Sequence, residues 1–294
     1  MNAILWYQLK CEPFSMYMED FPVIHLRGQI SSLGNSIIQR LLREEVEIVL
    51  CRNDFEKANK VFSTELEFSK SRLSRSKDCK ITQGHRVVLI GFQDYTSIYD
   101  DSELGIGIDG AEVILVTPNL GSVEVDTSEI DSHIIVHDMI PTDSVKPWEN
   151  QFLNSILASL SSGEKIVDVF TPKYLVAELD VADALSRLLI GDNPTPKSLD
   201  ISGRRGWSQV QIYQELEVLY NRTMAGQTGN FSTENLTTPS TPNIELMTKG
   251  EVIEGNRPKL EGLHRALIDS GFEGWRPTTP IRTALMYFLI GKLK

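Results

Sequence analysis

Residues 23–53, VIHLRGQISSLGNSIIQRLLREEVEIVLCRN, read as a strand, a tight turn, a helix and a second strand. FPVIHL (21–26) is short, apolar and β-branched, as a parallel strand buried on both faces would be, and it runs into Gly28. The period then changes: Leu33, Ile37 and Leu41 recur at helical spacing beside Ile38 and Leu42, with Gln39, Arg40 and Arg43 opposite. VEIVLC (46–51) is the second buried strand. This order is a βαβ unit, which joins two parallel strands by a crossover helix.

The alternation continues outward. HRVVLIGF (85–92), AEVILVTP (111–118) and SHIIVHDMI (132–140) are apolar strands; WENQFLNSILASLSSG (148–163), VADALSRLLIG (181–191) and WSQVQIYQELEVLYNR (207–222) have helical spacing. The expected class is α/β, a doubly wound parallel sheet with a smaller mixed α/β lobe towards the C-terminus. Residues 224–256 are rich in Ser, Thr, Asn, Gly and Pro and read as a mobile loop.

Charge narrows the partners. With 29 Lys+Arg against 40 Asp+Glu, the net charge of -11 disfavours nucleic acid and anionic membrane surfaces. The N-terminus has no basic leader, and its apolar run is interrupted by Gln8 and Lys10, so neither a signal peptide nor a membrane span is expected. Cys11, Cys51 and Cys79 form no pair at metal-ligand spacing and no disulfide framework, which fits a reducing cytoplasm. The Asn-x-Ser/Thr sites at Asn221, Asn230 and Asn235 then read as chance matches. No metal site is expected: His133 and His137 lie about 13 Å apart on a strand, too far for one ion. No serine-hydrolase elbow or phosphate-binding lysine loop is present.

The turn after the first strand carries the candidate binding chemistry. Free N–H groups at a helix start favour an anion, and glycines let a phosphate approach the backbone. Gly28 and Gly34 frame seven residues whose middle position is Ser31, a small side chain able to donate to a phosphate. Two glycines so spaced also suit a plain tight turn before a well-packed helix. After the second strand, where an acidic residue would bind ribose hydroxyls, stands Arg52. It either pairs with a 2′-phosphate, so that a cofactor would be NADP rather than NAD, or is an exposed loop charge.

These segments, in order, resemble the short-chain dehydrogenase/reductase superfamily, in its extended branch of nucleotide-sugar epimerases and dehydratases. Residues 23–53 resemble its first βαβ, whose turn reads Thr-Gly-x-x-Gly-x-x-Gly; here Arg27 replaces the threonine and Ser31 the central glycine. YLVAELDVADALSRLL (174–189) is similar to its Val-Asp-Asp-Val-Ala element, with Asp180 and Asp183 in frame. SLDISGRRGWSQVQIYQEL (198–216) resembles its Asn-Ile-Gly-x-Gly stretch, and RPKLEGLHRALIDSGFEGWRPTTPIRTAL (257–285) its closing helices.

The resemblance implies a Rossmann-like fold. Residues 1–21 would be an extension, 22–145 the nucleotide-binding core, also receiving 165–190, and 146–294 mainly a substrate lobe. It implies a nicotinamide cofactor at Gly28, Ser31, Leu33, Gly34 and Arg52, a nucleotide-sugar or other small molecule as substrate, a homodimer, and a place in sugar-nucleotide or surface-polysaccharide metabolism. Family members act through a Tyr-x-x-x-Lys pair whose lysine lowers the tyrosine pKa for proton transfer. None of the eight tyrosines here has a lysine four residues on. Thr117 matches the position of the family's catalytic Ser or Thr, although threonine is also an ordinary polar strand end. Tyr95 and Tyr99, in a stretch that also reads as a solvated acidic loop, are substitute candidates at the carboxyl edge. Two readings follow: a family enzyme with impaired or unconventional chemistry, or a catalytically silent protein that binds a nucleotide or a partner enzyme, with or without a cofactor.

Overall fold

The structure, a computed structural model, describes residues 21–28, 30–91, 110–119, 121, 127–143, 146–163, 171–232 and 257–293. Seven parallel strands form the central sheet: β1 (Val23–Gly28), β2 (Glu47–Leu50), β3 (Arg72–Arg75), β4 (Arg86–Ile90), β5 (Glu112–Pro118), β6 (Ser132–Val136) and β9 (Ser198–Ile201). Their spatial order is β3-β2-β1-β4-β5-β6-β9, so direction reverses between β1 and β4. Ile24 pairs with Ile48 on one side and Arg86 on the other. This is the doubly wound sheet read from the sequence.

Strand alternation sorts the side chains. Ile24 and Leu26 share a core with Ile48, Leu50, Val88, Ile90, Ile114, Val116, Ile134, Val136, Leu199 and Ile201. Onto this face pack α1 (Asn35–Leu41) through Ile37, Ile38 and Leu41, and α5 (Glu178–Ile190) through Val181, Leu185 and Leu188. The opposite face carries a smaller cluster, Val87, Leu89, Val113, Leu115 and Ile130. Buried His25 and Arg27 alternate with the residues of the larger core and so belong to this second face. Burial, reinforced by neighbouring Arg27 and His85, pushes the His25 pKa down to about 3.

The expected strand 132–140 is two strands. Asp138 has φ +46, and the chain turns there into β7 (Met139–Ile140), which pairs with β8 (Val176–Ala177) in a separate two-stranded sheet. Beside it lies a second core: Leu153 and Ile156 of α4 (Gln151–Ser162), Ile212 and Leu216 of α6 (Gln209–Thr228), and Leu285, Phe288 and Leu289 of α8 (Ile281–Lys292). Helix α7 (Glu261–Asp269) instead packs Leu263 and Leu267 into the sheet core. Residues 224–228, expected in the loop, are helical; Thr228 donates its hydroxyl to the Met224 carbonyl, and Gly229 at φ +72 ends the helix. The rest of the expected loop from 233 lies outside the described residues. Helices α2 (Arg52–Val61) and α3 (Ser63–Phe68) and edge strand β3 gave little apolar period, because α2 buries only Ala58 and α3 buries no residue. No helix among the described residues is long and apolar enough to cross a membrane.

Candidate functional site

A cleft of about 1320 Å³ opens at the carboxyl ends of β1, β4, β5 and β6, where Gly28, Gly91, Asn119 and Val136 line it. It spans the switch point between β1 and β4, the place where open α/β sheets bind ligands. Its other wall is the segment Lys146–Phe152 with Asp138 and Lys173. Asn150 secures that wall, accepting from the Leu153 amide as the N-cap of α4 (3.1 Å) and donating to the Met139 carbonyl (2.8 Å).

Two features of the wall bear on ligands. Lys173 holds its ammonium 3.3 Å from Asp138 Oδ1 and 5.5 Å from the centre of the Phe152 ring. Trp148 is buried, and among the described residues its indole N–H has no hydrogen-bond partner. Such a donor, held out of water, gains from a ligand oxygen. Opposite, Gly91 at φ +74 sits so close that a Cβ there would lie 2.9 Å from Pro147 Cγ and 3.2 Å from Trp148 Nε1.

The glycine turn departs from its expected detail. Gly28 takes φ +96, a conformation that favours glycine, and lines the cleft. Ser31, at the missing-glycine position, has ordinary extended angles (φ −69, ψ 159), whereas Ser32 is left-handed at φ 57, ψ −116. Ser32 is held there by Glu178, a buried carboxylate. Glu178 accepts from Ser32 Oγ (2.8 Å), Ser36 Oγ (2.6 Å), the Thr142 amide (2.9 Å) and Thr142 Oγ1 (2.9 Å), tying the turn and α1 to the start of α5. Nothing in the sequence reading singled out Glu178; the signal was an acidic residue heading an apolar helix beside the quoted Asp180. Asp180 binds the amides and hydroxyls of Thr278 and Thr279, joining the segment before α8 to α5.

The remaining predicted residues divide. Leu33 is fully buried in the sheet core and Gly34 is buried at the start of α1, so at these two positions the backbone is what a ligand could meet. Arg52 is exposed at the first position of α2, just past β2. Thr117 is only 1% exposed, and its hydroxyl lies 2.8 Å from His133 Nε2 within the sheet rather than among the residues lining the cleft. Burial lowers the His133 pKa, with Asp200 opposing the shift. His137 lies 2.7 Å from Asp200 Oδ1 and 3.0 Å from Asn119 Nδ2, so the two histidines have separate partners. The hydrogen bond from His137 holds Asp200 below its usual pKa. Tyr95 and Tyr99 lie outside the described residues.

The sequence matches no protein-family model and no curated protein. Solved structures do match. Gre2 from Candida albicans, determined in complex with NADPH, is 11% identical with a TM-score of 0.50, covering 92% of this chain and 99% of that one. Vestitone reductase from alfalfa (Medicago sativa) is 13% identical with a TM-score of 0.49, covering 92% and 97%. The Bordetella bronchiseptica enzyme WbmG, in complex with NAD, is 9% identical with a TM-score of 0.46, covering 94% and 95%. Strand order and the Gre2 likeness agree on architecture: the chain has a Rossmann-like, doubly wound α/β fold.

Proposed function

We propose that the cleft binds a nicotinamide dinucleotide, NADP in preference to NAD, beside a nucleotide-sugar or similar small molecule. On this reading the protein is of the epimerase/dehydratase kind, serves sugar-nucleotide or surface-polysaccharide metabolism in the cytoplasm, and works without a Tyr-x-x-x-Lys pair. The observation that carries the proposal is the cleft's position across the β1/β4 switch point, with left-handed Gly28 on one side and, on the other, the Trp148 N–H, which has no partner among the described residues. Its volume exceeds the about 300–1,000 Å³ of ordinary small-molecule pockets, which leaves room for two ligands side by side.

The residues present fit such a cofactor. Gly28 lets the backbone approach a pyrophosphate, and the first turn of α1 has no acidic residue to repel it. Arg52, exposed beyond β2, suits a 2′-phosphate. A bound nicotinamide supplies hydride transfer. Lys146 and Lys173 line the far wall and attract substrate phosphates, and Asp138 with the Phe152 ring fixes where Lys173 sits. Because Thr117 is turned into the sheet, proton transfer falls to Lys173 or to Tyr95 or Tyr99.

The half-buried Thr117–His133 contact, which commits the threonine away from the cleft, also favours the second reading, a catalytically silent nucleotide-binding protein that regulates or scaffolds a partner enzyme. Titration with NADPH and NADH, followed by nicotinamide fluorescence and calorimetry, tests the first claim. Micromolar binding that prefers NADPH, with the preference lost in Arg52→Ala, supports it; no binding of either by folded protein removes it. Robust turnover of any nucleotide-sugar would then exclude the silent reading.

A further inference from the structure

Away from the cleft, on the second face of the sheet, three side chains from distant parts of the chain converge. His25 comes from the middle of β1, Cys79 from the loop after β3, and His85 from the residue preceding β4. Their ligand atoms all lie within 4.8 Å of one another, and His25 Nε2 is 3.0 Å from His85 Nδ1. Two nitrogens on one tetrahedral zinc ion would be about 3.3 Å apart, given Zn–N bonds of about 2.0–2.1 Å. We propose that His25, Cys79 and His85 form a site for a zinc-class divalent ion, with water in the fourth position.

Donor type and surroundings support this assignment. One thiolate and two imidazoles are ligands that zinc takes, and the thiolate disfavours magnesium or calcium. Outer contacts orient the ligands as metal sites require. The Thr82 hydroxyl is 2.9 Å from His85 Nε2, where it accepts that N–H, so that Nδ1, 3.0 Å from His25 Nε2 and accepting a long bond from the Thr82 amide (3.4 Å), carries the lone pair. The loop 76–85 crosses from the end of β3 to the start of β4 without a helix and sends just Ile81 to the small core of this face, so an ion would clamp it onto β1.

Arg27 sets the cost of loading. Its Nη2 lies 3.3 Å from His25 Nδ1, while Nη1 donates to the Leu26 and Val49 carbonyls (3.0 Å each). In the metal-free protein these contacts form a chain: Arg27 donates to His25, His25 to His85, and His85 to Thr82. On capture His25 carries its proton on Nδ1 instead of Nε2, Nη2 turns away, and the Cys79 thiol releases one proton to solvent as its sulfur bonds the ion.

Cobalt(II) added to the full-length protein is the test, because a cobalt–thiolate bond gives a near-ultraviolet charge-transfer band and tetrahedral cobalt absorbs strongly in the visible. The expected result is both features at one ion per chain, displaced by zinc, with the charge-transfer band lost in Cys79→Ser. Thr82→Val should weaken zinc by about 10–100-fold. Melting temperature should rise with zinc in the unaltered protein, a readout that needs no variant to fold. Absence of a thiolate band at stoichiometric cobalt, or a band unchanged in Cys79→Ser, overturns the site and leaves the hydrogen-bonded chain as the whole role of these residues.

Discussion

Thr117 and His133 meet across neighbouring strands β5 and β6, hydroxyl to imidazole at 2.8 Å, with Thr117 buried and His133 half-buried. A buried threonine committed to this histidine is unavailable to a substrate in the cleft. Thr117→Val should therefore leave NADPH affinity within about twofold while costing about 1 kcal/mol of stability, because it removes a half-buried hydrogen bond. Urea unfolding beside cofactor titration separates the two effects.

The same histidine gives stability a pH dependence. In the unfolded chain His133 titrates near its ordinary 6.5, whereas the folded, half-buried ring resists protonation. Below that pH the unfolded state holds more protons, so stability falls as pH drops and is flat above it. The slope from one such group is at most about 1.4 kcal/mol per pH unit. Unfolding measured from pH 8 to about pH 5 should show this loss, and His133→Gln should reduce the slope.

Glu178 braces the glycine turn through four short contacts. Glu178→Gln keeps the shape but turns an amide N–H towards donors, and should cost about 2–3 kcal/mol. Ser32→Ala loses one donor and keeps the left-handed strain, whereas Ser32→Gly loses the donor and relieves the strain. The glycine variant should therefore melt above the alanine variant, which differential scanning calorimetry can measure.

Gly91 separates the sheet edge from the far wall of the cleft. Gly91→Ala adds a methyl group at a positive φ, costing about 1–2 kcal/mol, and drives it against Pro147 and Trp148. Because that displaces the wall, NADPH should bind about tenfold more weakly, equivalent to about 1.4 kcal/mol. Unchanged affinity in calorimetry would show that the cofactor does not touch this wall.

Much of the architecture was legible because it rests on local patterns. The βαβ of residues 23–53, the apolar strands 86–90 and 112–118, and helices α4, α5 and α6 announce themselves by period. The glycine at position 28 was legible for the same reason, since a strand running into glycine marks a turn. What was hidden depends on distant residues meeting. Ser32 rather than Ser31, the residue in the central glycine's frame, takes the positive φ, because Glu178, 146 residues away, holds its hydroxyl. Cys79 had no partner at metal spacing along the chain, yet the sheet brings His25 and His85 to it. Polar α2 and half-buried β3 were missed because they owe their form to neighbours rather than to an apolar stripe.

Backbone threads stitch the central sheet to the second core at one seam. The Tyr174 amide donates to Asp138 Oδ2 and the Gly203 amide to the Tyr174 carbonyl, both at 2.9 Å, while Gly203 lies so near the Leu175 carbonyl that a Cβ would come within 2.1 Å of it. Jaw-like opening about this seam would have to tear main-chain bonds. A ligand entering the cleft thus meets walls already set at their working separation, and discrimination falls on fit at the doorway rather than on a closing motion.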